Sequence, residues 1–147
     1  MEVRKVMSQD VRTVRASISV KEAARAMLES NVGALPVTDD ERLLGLLTDR
    51  DIVTRVVAQG EDPEQVRVVD VMSQRVLYCF DDQDCDEVAK NMADQQVLRL
   101  PVVDREKRLV GIVSAGDLQA RAGATEANDE EREDEDGEDD RELPETD

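Results

Sequence analysis

The chain repeats itself. Val6-Met7-Ser8 recurs as Val71-Met72-Ser73, 65 positions on. The same offset aligns Glu22 with Glu87, Ala24 with Ala89, Met27 with Met92, Leu35-Pro36-Val37 with Leu100-Pro101-Val102, and Asp39 with Asp104. The second copy then carries one extra residue. An offset of 66 aligns Arg42-Leu43 with Arg108-Leu109, Gly45 with Gly111, Thr48 with Ser114, and Asp51 with Asp117. Such a repeat constrains the architecture before any local pattern does. The 147 residues divide into two copies of one unit, residues 1–62 and 63–123, followed by a tail, 124–147. One copy alone is too small to bury a sufficient core.

Each copy has the same internal order. A short β-rich piece, Val11 to Arg15 in copy one, comes first. Val20, Ala23, Ala24, Met27 and Leu28 then form an apolar stripe at helical spacing, matched by Cys85, Val88, Ala89, Met92 and Ala93. Ser19-x-x-Glu22 and Asp84-x-x-Glu87 predict a capping box at the start of each helix. Two apolar runs follow, Ala34–Thr38 and Leu43–Leu47, then Arg99–Val103 and Leu109–Val113. Charged turns separate them and mark hairpins. A second helix is predicted over Thr48 to Ala58, with Ile52, Val53, Val56 and Val57 on its apolar face, and over Ser114 to about Arg121, with Leu118, Ala120 and Ala122. The fold class is therefore α/β, a β-α-β-β-α unit twice, packed about a pseudo-twofold axis.

Charge is unevenly spread. The whole chain carries a formal −17, of which residues 124–147, with 14 acidic and 2 basic side chains, supply −12. A segment of that composition cannot offset its ordering entropy and is expected to be disordered. The rest lacks the basic density that a phosphate backbone requires. No apolar run reaches the ~20 residues of a membrane span, and the first ten residues lack the apolar region of a secretory signal. The expected setting is the cytoplasm, with no nucleic-acid or membrane partner. With no histidine in the chain, His-based triads and zinc sites are excluded. No catalytic constellation is present, which argues against an enzyme.

The informative chemistry follows the second hairpin strand. Gly45-Leu46-Leu47-Thr48-Asp49-Arg50-Asp51 and Gly111-Ile112-Val113-Ser114-Ala115-Gly116-Asp117 both read G-x-x-[ST]-x-x-D. Two readings of each aspartate stand side by side. Thr48 or Ser114 is a helix N-cap with Asp51 or Asp117 as its N3 partner. Alternatively, the short aspartate leaves its carboxylate facing outward, able to accept from vicinal hydroxyls, beside a helix start whose N–H groups suit a phosphate. The second reading suggests a nucleotide.

The doubled unit, the Val-Met-Ser openings, the Leu-Pro-Val-x-Asp segments and the two G-x-x-[ST]-x-x-D junctions together resemble a pair of CBS domains, the Bateman module, over residues 1 to about 121. The Thr48–Ile52 stretch looks most like small stand-alone bacterial and archaeal members, including hypoxic-response-like ones. That resemblance implies clefts between the paired domains that take an adenosine compound of the AMP, ATP, NAD or S-adenosylmethionine class. Asp51 and Asp117 would take the ribose hydroxyls, and Thr48 and Ser114 the ribose or phosphate. Thr13-Val14, Leu77-Tyr78, Leu35-Pro36 and Leu100-Pro101 would border the base, and Arg50 would meet phosphate. Ala115-Gly116 in place of Asp49-Arg50 weakens the case for phosphate in the second cleft. No cofactor is required. The adenine nucleotide is a regulatory ligand, the chain is expected to be a homodimer using the Ile52–Val57 face, and its shape change signals to an unknown regulated partner. The alternatives are a ligand-free dimeric scaffold and a thiol redox sensor using Cys79 and Cys85. Those cysteines align with Val14 and Val20, positions that suit buried thiols.

Overall fold

The computed structural model describes residues 1–123; the expectation for 124–147 lies outside them. Two three-stranded sheets are present, each with helices. In the first, β1 (Val14–Arg15) pairs in parallel with β2 (Ala34–Asp39), which pairs antiparallel with β3 (Arg42–Thr48). In the second, β4 (Cys79–Phe80), β5 (Arg99–Val103) and β6 (Leu109–Ser114) repeat this order and sense. Both hairpins bulge at the same repeat position, Val37/Thr38 and Val102/Val103. The parallel pair needs a crossover, and α1 (Val20–Ser30) and α4 (Cys85–Gln95) supply it.

Helix α1 starts as its sequence predicts. Ser19 Oγ accepts from the Glu22 N–H at 3.1 Å, and the Ser19 N–H donates to Glu22 Oε1 at 3.2 Å. Asn31 ends it in the left-handed region, φ 57°, which asparagine tolerates. The stripe buries Val20, Ala23 and Met27, but Leu28 is 77 % exposed. Its counterpart Ala93 is exposed as well, so the far edge of the stripe lies off the core in both copies. At α4 the cap is made to the second helical residue, Asp86, in place of the expected box with Glu87. Asp84 Oδ2 accepts from the Asp86 N–H at 3.0 Å, and its other oxygen takes the N-terminal ammonium at 3.0 Å.

The second helix of copy one is not a regular helix from Thr48 to Ala58. Helix α2 (Asp49–Ile52) passes into a π turn, Val53–Val57. The widened turn sends Val56 into the core and leaves Val53 and Val57 more than half exposed. Its counterpart α5 (Ala115–Gly123) runs as an α-helix throughout.

The openings pack away from their own sequence copy. Contacts divide the described residues into one unit of Arg12–Val76 and another of Met1–Val11 with residues 77–123. The repeat boundaries at 62/63 are therefore not the packing boundaries. In the first unit, α3 (Val68–Val71) is bonded through Val68 N–H to Ile18 O and Val69 N–H to Ala16 O. Beyond it, Ser73 and Leu46 exchange both backbone hydrogen bonds at 2.9 Å. In the second unit, Ser8 and Ile112 do the same at 2.8 and 2.9 Å, and Val3 is fully buried. The opening of copy one completes the unit of copy two.

Glycine makes these close approaches possible. A Cβ on Gly45 would run into the Ser73 carbonyl and lie 3.0 Å from Met72 Sδ. One on Gly111 would stand 2.7 Å from both Met7 Sδ and the Ser8 carbonyl. The obstruction is backbone, which cannot swing aside as a side chain does. Gly45→Ala is expected to cost about 1–3 kcal/mol through overpacking, read as a lower urea midpoint at unchanged slope. An unchanged midpoint would show that the Ser73 segment does not hold its place on β3.

Candidate functional site

Each G-x-x-[ST]-x-x-D segment ends a strand and begins a helix. Thr48 Oγ1 accepts from the Asp51 N–H at 3.0 Å, and the Thr48 N–H donates to Asp51 Oδ2 at 3.1 Å. Ser114 and Asp117 make the same pair at 3.0 and 3.2 Å. Aspartate is therefore long enough to close the box, as the first of the two readings has it. The extended backbone of the cap residue, φ −119° and ψ 161° at Thr48, brings its amide within reach. Oδ2 serves the cap in both units. In the first unit Arg55 Nε lies 3.9 Å from Asp51 Oδ1.

In the second unit this junction opens onto a cavity of about 220 Å³ lined by Ser8, Asp10, Arg99, Ile112, Val113, Ser114 and Asp117. The strand register explains the grouping. Arg99 stands opposite Ser114 and Pro101 opposite Ile112, so alternation puts these four side chains on one face. Ser8 joins them through its backbone pair with Ile112. The volume is below the ~300 Å³ at which pockets for whole small molecules begin, so it has room for part of such a molecule. In the first unit the same register places Ala34 opposite Thr48 and Pro36 opposite Leu46. Ala34 therefore stands where the second unit has Arg99.

The sequence-derived residues fall into two sets. Thr13, Val14, Leu35, Pro36, Thr48, Arg50 and Asp51 lie in the first unit, and Leu77, Tyr78, Leu100, Pro101, Ser114 and Asp117 in the second. Thr48 and Asp51 are buried and Arg50 is exposed. Val14 and Leu35 sit in the hydrophobic core of their unit, where they pack rather than line an open surface. Leu100 is buried likewise. Tyr78 is half-buried, edge-on to Phe80 at 5.7 Å, with Lys107 Nζ 5.4 Å from its ring centroid. Arg105 lies 4.0 Å over Phe80 and grips Asp82 at 2.8 and 2.9 Å, holding that carboxyl below its ordinary range.

Ser8, Asp10 and Arg99 were not among the sequence candidates. The Val-Met-Ser opening was a visible signal, but it read as part of copy one, whereas it packs in the second unit.

Cys79 and Cys85 are free and buried. Burial pushes the Cys79 thiol up to about 12, with Cys85 and Asp81 adding to the effect. That disfavours the thiolate, the reactive form.

A CBS-domain family model matches residues 3–58 and 68–122. The chain belongs to the CBS-domain family. CBS domain-containing protein YhcV of Bacillus subtilis is 40% identical over 125 residues, covering 85% of this chain and 88% of YhcV. The crystal structure of Hypoxic Response Protein I with two coordinated zinc ions superposes with a TM-score of 0.72 at 35% identity, over 82% of this chain and 98% of that one. The CBS pair of protein MJ0100, in complex with 5'-methylthioadenosine and S-adenosyl-L-methionine, gives a TM-score of 0.65 at 30% identity, over 84% and 97%. Such modules are ligand-binding and regulatory. Among the described residues no three His, Cys, Asp or Glu side chains are grouped to hold a metal, and no helix is long and apolar enough to cross a membrane.

The raised thiol gives a signed prediction. Above the ordinary thiol value of 9.0 the unfolded chain releases a proton that native Cys79 keeps. Stability is intact below that pH and falls as pH rises, by about 1.4 kcal/mol per unit, until about 12. Urea midpoints from pH 8 to 10.5 should fall in wild type and fall less in Cys79→Val. Equal slopes in both would contradict the buried thiol.

Proposed function

We propose that this CBS pair senses an adenosine compound, with the Oδ1 atoms of Asp51 and Asp117 accepting the ribose hydroxyls. The cavity at Ser114 and Asp117 is the observation that carries the reading. The Ser114 hydroxyl stands on one sheet face with Arg99, which supplies a cation for a phosphate or carboxylate group of the same ligand, and the Asp117 carboxylate, from the first turn of α5, lines the same cavity. Arg99 restores to the second repeat the charge that Gly116 loses relative to Arg50. The MJ0100 pair, which shares the fold and holds two adenosine derivatives, supports the ligand class. The module acts without catalysis of its own: occupancy changes its shape, and a partner protein in the cytoplasm reads that change.

The test separates cap from ligand acceptor. Asn at 51 and 117 keeps an amide oxygen for the cap but loses the charge that holds a diol. Ligand at ~100-fold over its dissociation constant stabilises by about 2.7 kcal/mol, a thermal shift on the order of 10 °C for a domain of this size. Adenosine, AMP, ATP, NAD and S-adenosylmethionine are to be screened. At least one should give such a shift in wild type, and the Asp51→Asn, Asp117→Asn protein should lose it while melting within a few degrees of wild type. No shift with any compound would favour the ligand-free scaffold.

A homodimer fits the same unit. Leu28, Val53 and Val57 are 77 %, 56 % and 64 % exposed, whereas the second repeat has Ala93, Gln119 and Gly123 at those positions. Light scattering should give twice the 16.4 kDa chain mass for wild type and a single chain for Val53→Lys, Val57→Lys. A monomeric wild type would contradict the dimer.

A further inference from the structure

Resting on the adenosine-sensing reading, we infer that Arg55 is a positioning residue that ties the acceptor carboxylate of Asp51 to the end of α3. Its guanidinium reaches two places at once. Nε lies 3.9 Å from Asp51 Oδ1, the oxygen that the cap leaves for a ligand, since Oδ2 is held by the Thr48 N–H. Nη1 donates to the Val71 carbonyl at 3.1 Å. Val71 is the last residue of α3, whose C-terminal carbonyls lack helical partners and carry partial negative charge. Two residues later, Ser73 is clamped to Leu46 on β3. One side chain therefore joins the proposed acceptor to the segment that closes the first unit before the chain passes on to Leu77.

The backbone around Arg55 is itself unusual. The Ala58 N–H donates to Val53 O at 2.8 Å and the Glu61 N–H to Val56 O at 2.9 Å, both five residues back. Such π turns are rare and cluster at functional sites. A regular helix serves the second repeat at the corresponding place, so the sequence unit does not demand the turn. The turn seats Val56 in the core while Arg55, half-exposed, spans Asp51 and Val71.

The consequence is reciprocal. A diol donating to Oδ1 changes the charge that Arg55 meets, and so biases its hold on Val71. The placing of α3 biases occupancy at Asp51 by the same factor. The cap holds Oδ2, and Arg55 faces Oδ1, the oxygen that accepts the ligand, and keeps it in register.

AMP is the probe, with binding by calorimetry and amide hydrogen exchange over residues 68–73 as a second readout. In wild type, AMP is expected to slow exchange at Met72 and Ser73. In Arg55→Ala, affinity should fall about 5-fold or more, and AMP should no longer change exchange there. Arg55→Lys keeps a cation near Asp51 without the fork that also reaches Val71. It should recover affinity but not the exchange response. Unchanged affinity and an unchanged response in Arg55→Ala would overturn the positioning role alone. A wild type that binds no AMP would overturn the role for this ligand, and one that binds no adenosine compound would overturn the sensing reading with it.

Discussion

Two backbone pairings hold this protein's arrangement in place, Ser73 with Leu46 and Ser8 with Ile112. Strands β3 and β6 each end their sheet, and an unpaired strand edge leaves backbone donors and acceptors without partners. Each edge is met by a segment from the other sequence repeat. Only a strand with glycine beside the contact admits that segment, and Gly45 and Gly111 occupy that place. The pairing also builds the site. Ser8 is held beside Ile112, two residues before Ser114 and five before Asp117, so the same hydrogen bonds that cover the edge bring the opening to the cavity rim.

The two junctions share a backbone and differ in chemistry. The Asp49 N–H donates to Gly33 O at 2.8 Å, and the Ala115 N–H donates to Leu98 O at 2.8 Å. In the first unit a Cβ at position 33 would stand 2.9 Å from Asp49 Oδ2, so the carboxylate occupies the space that glycine leaves. The second unit replaces both partners, with Leu98 and Ala115. Arg99 replaces Ala34 and Asp10 replaces Arg75. The repeat therefore keeps its geometry between its copies while redistributing charge.

Much of this was legible in the sequence because it is local. Strand alternation, the 3.6-residue stripe and the Ser19-x-x-Glu22 box are set by neighbours within a few residues. The Thr48/Asp51 and Ser114/Asp117 pairs were legible as caps for the same reason. What the sequence hid is long-range. Nothing in Val6-Met7-Ser8 says which copy it packs against, so Ser8 and Asp10 were missed. Arg99 was read only as the start of a strand, since its register opposite Ser114 needs the hairpin to be built. The π turn was invisible because Val53, Val56 and Val57 also suit an ordinary apolar face. Leu28 matches the stripe, yet lies at its edge, off the core. Cys79 and Cys85 read as buried from their alignment with valines, and their burial bears this out.

The two strand-to-helix junctions are proposed as ligand sites as well as caps. Amide chemical shifts recorded during titration with AMP test this proposal most directly, because each junction reports separately. Saturable shifts are expected at Thr48 and Asp51, at Ser114 and Asp117, and at Ser8 and Arg99 on the cavity. Saturable shifts confined to residues remote from both junctions, or none while another adenosine compound binds elsewhere, would contradict it.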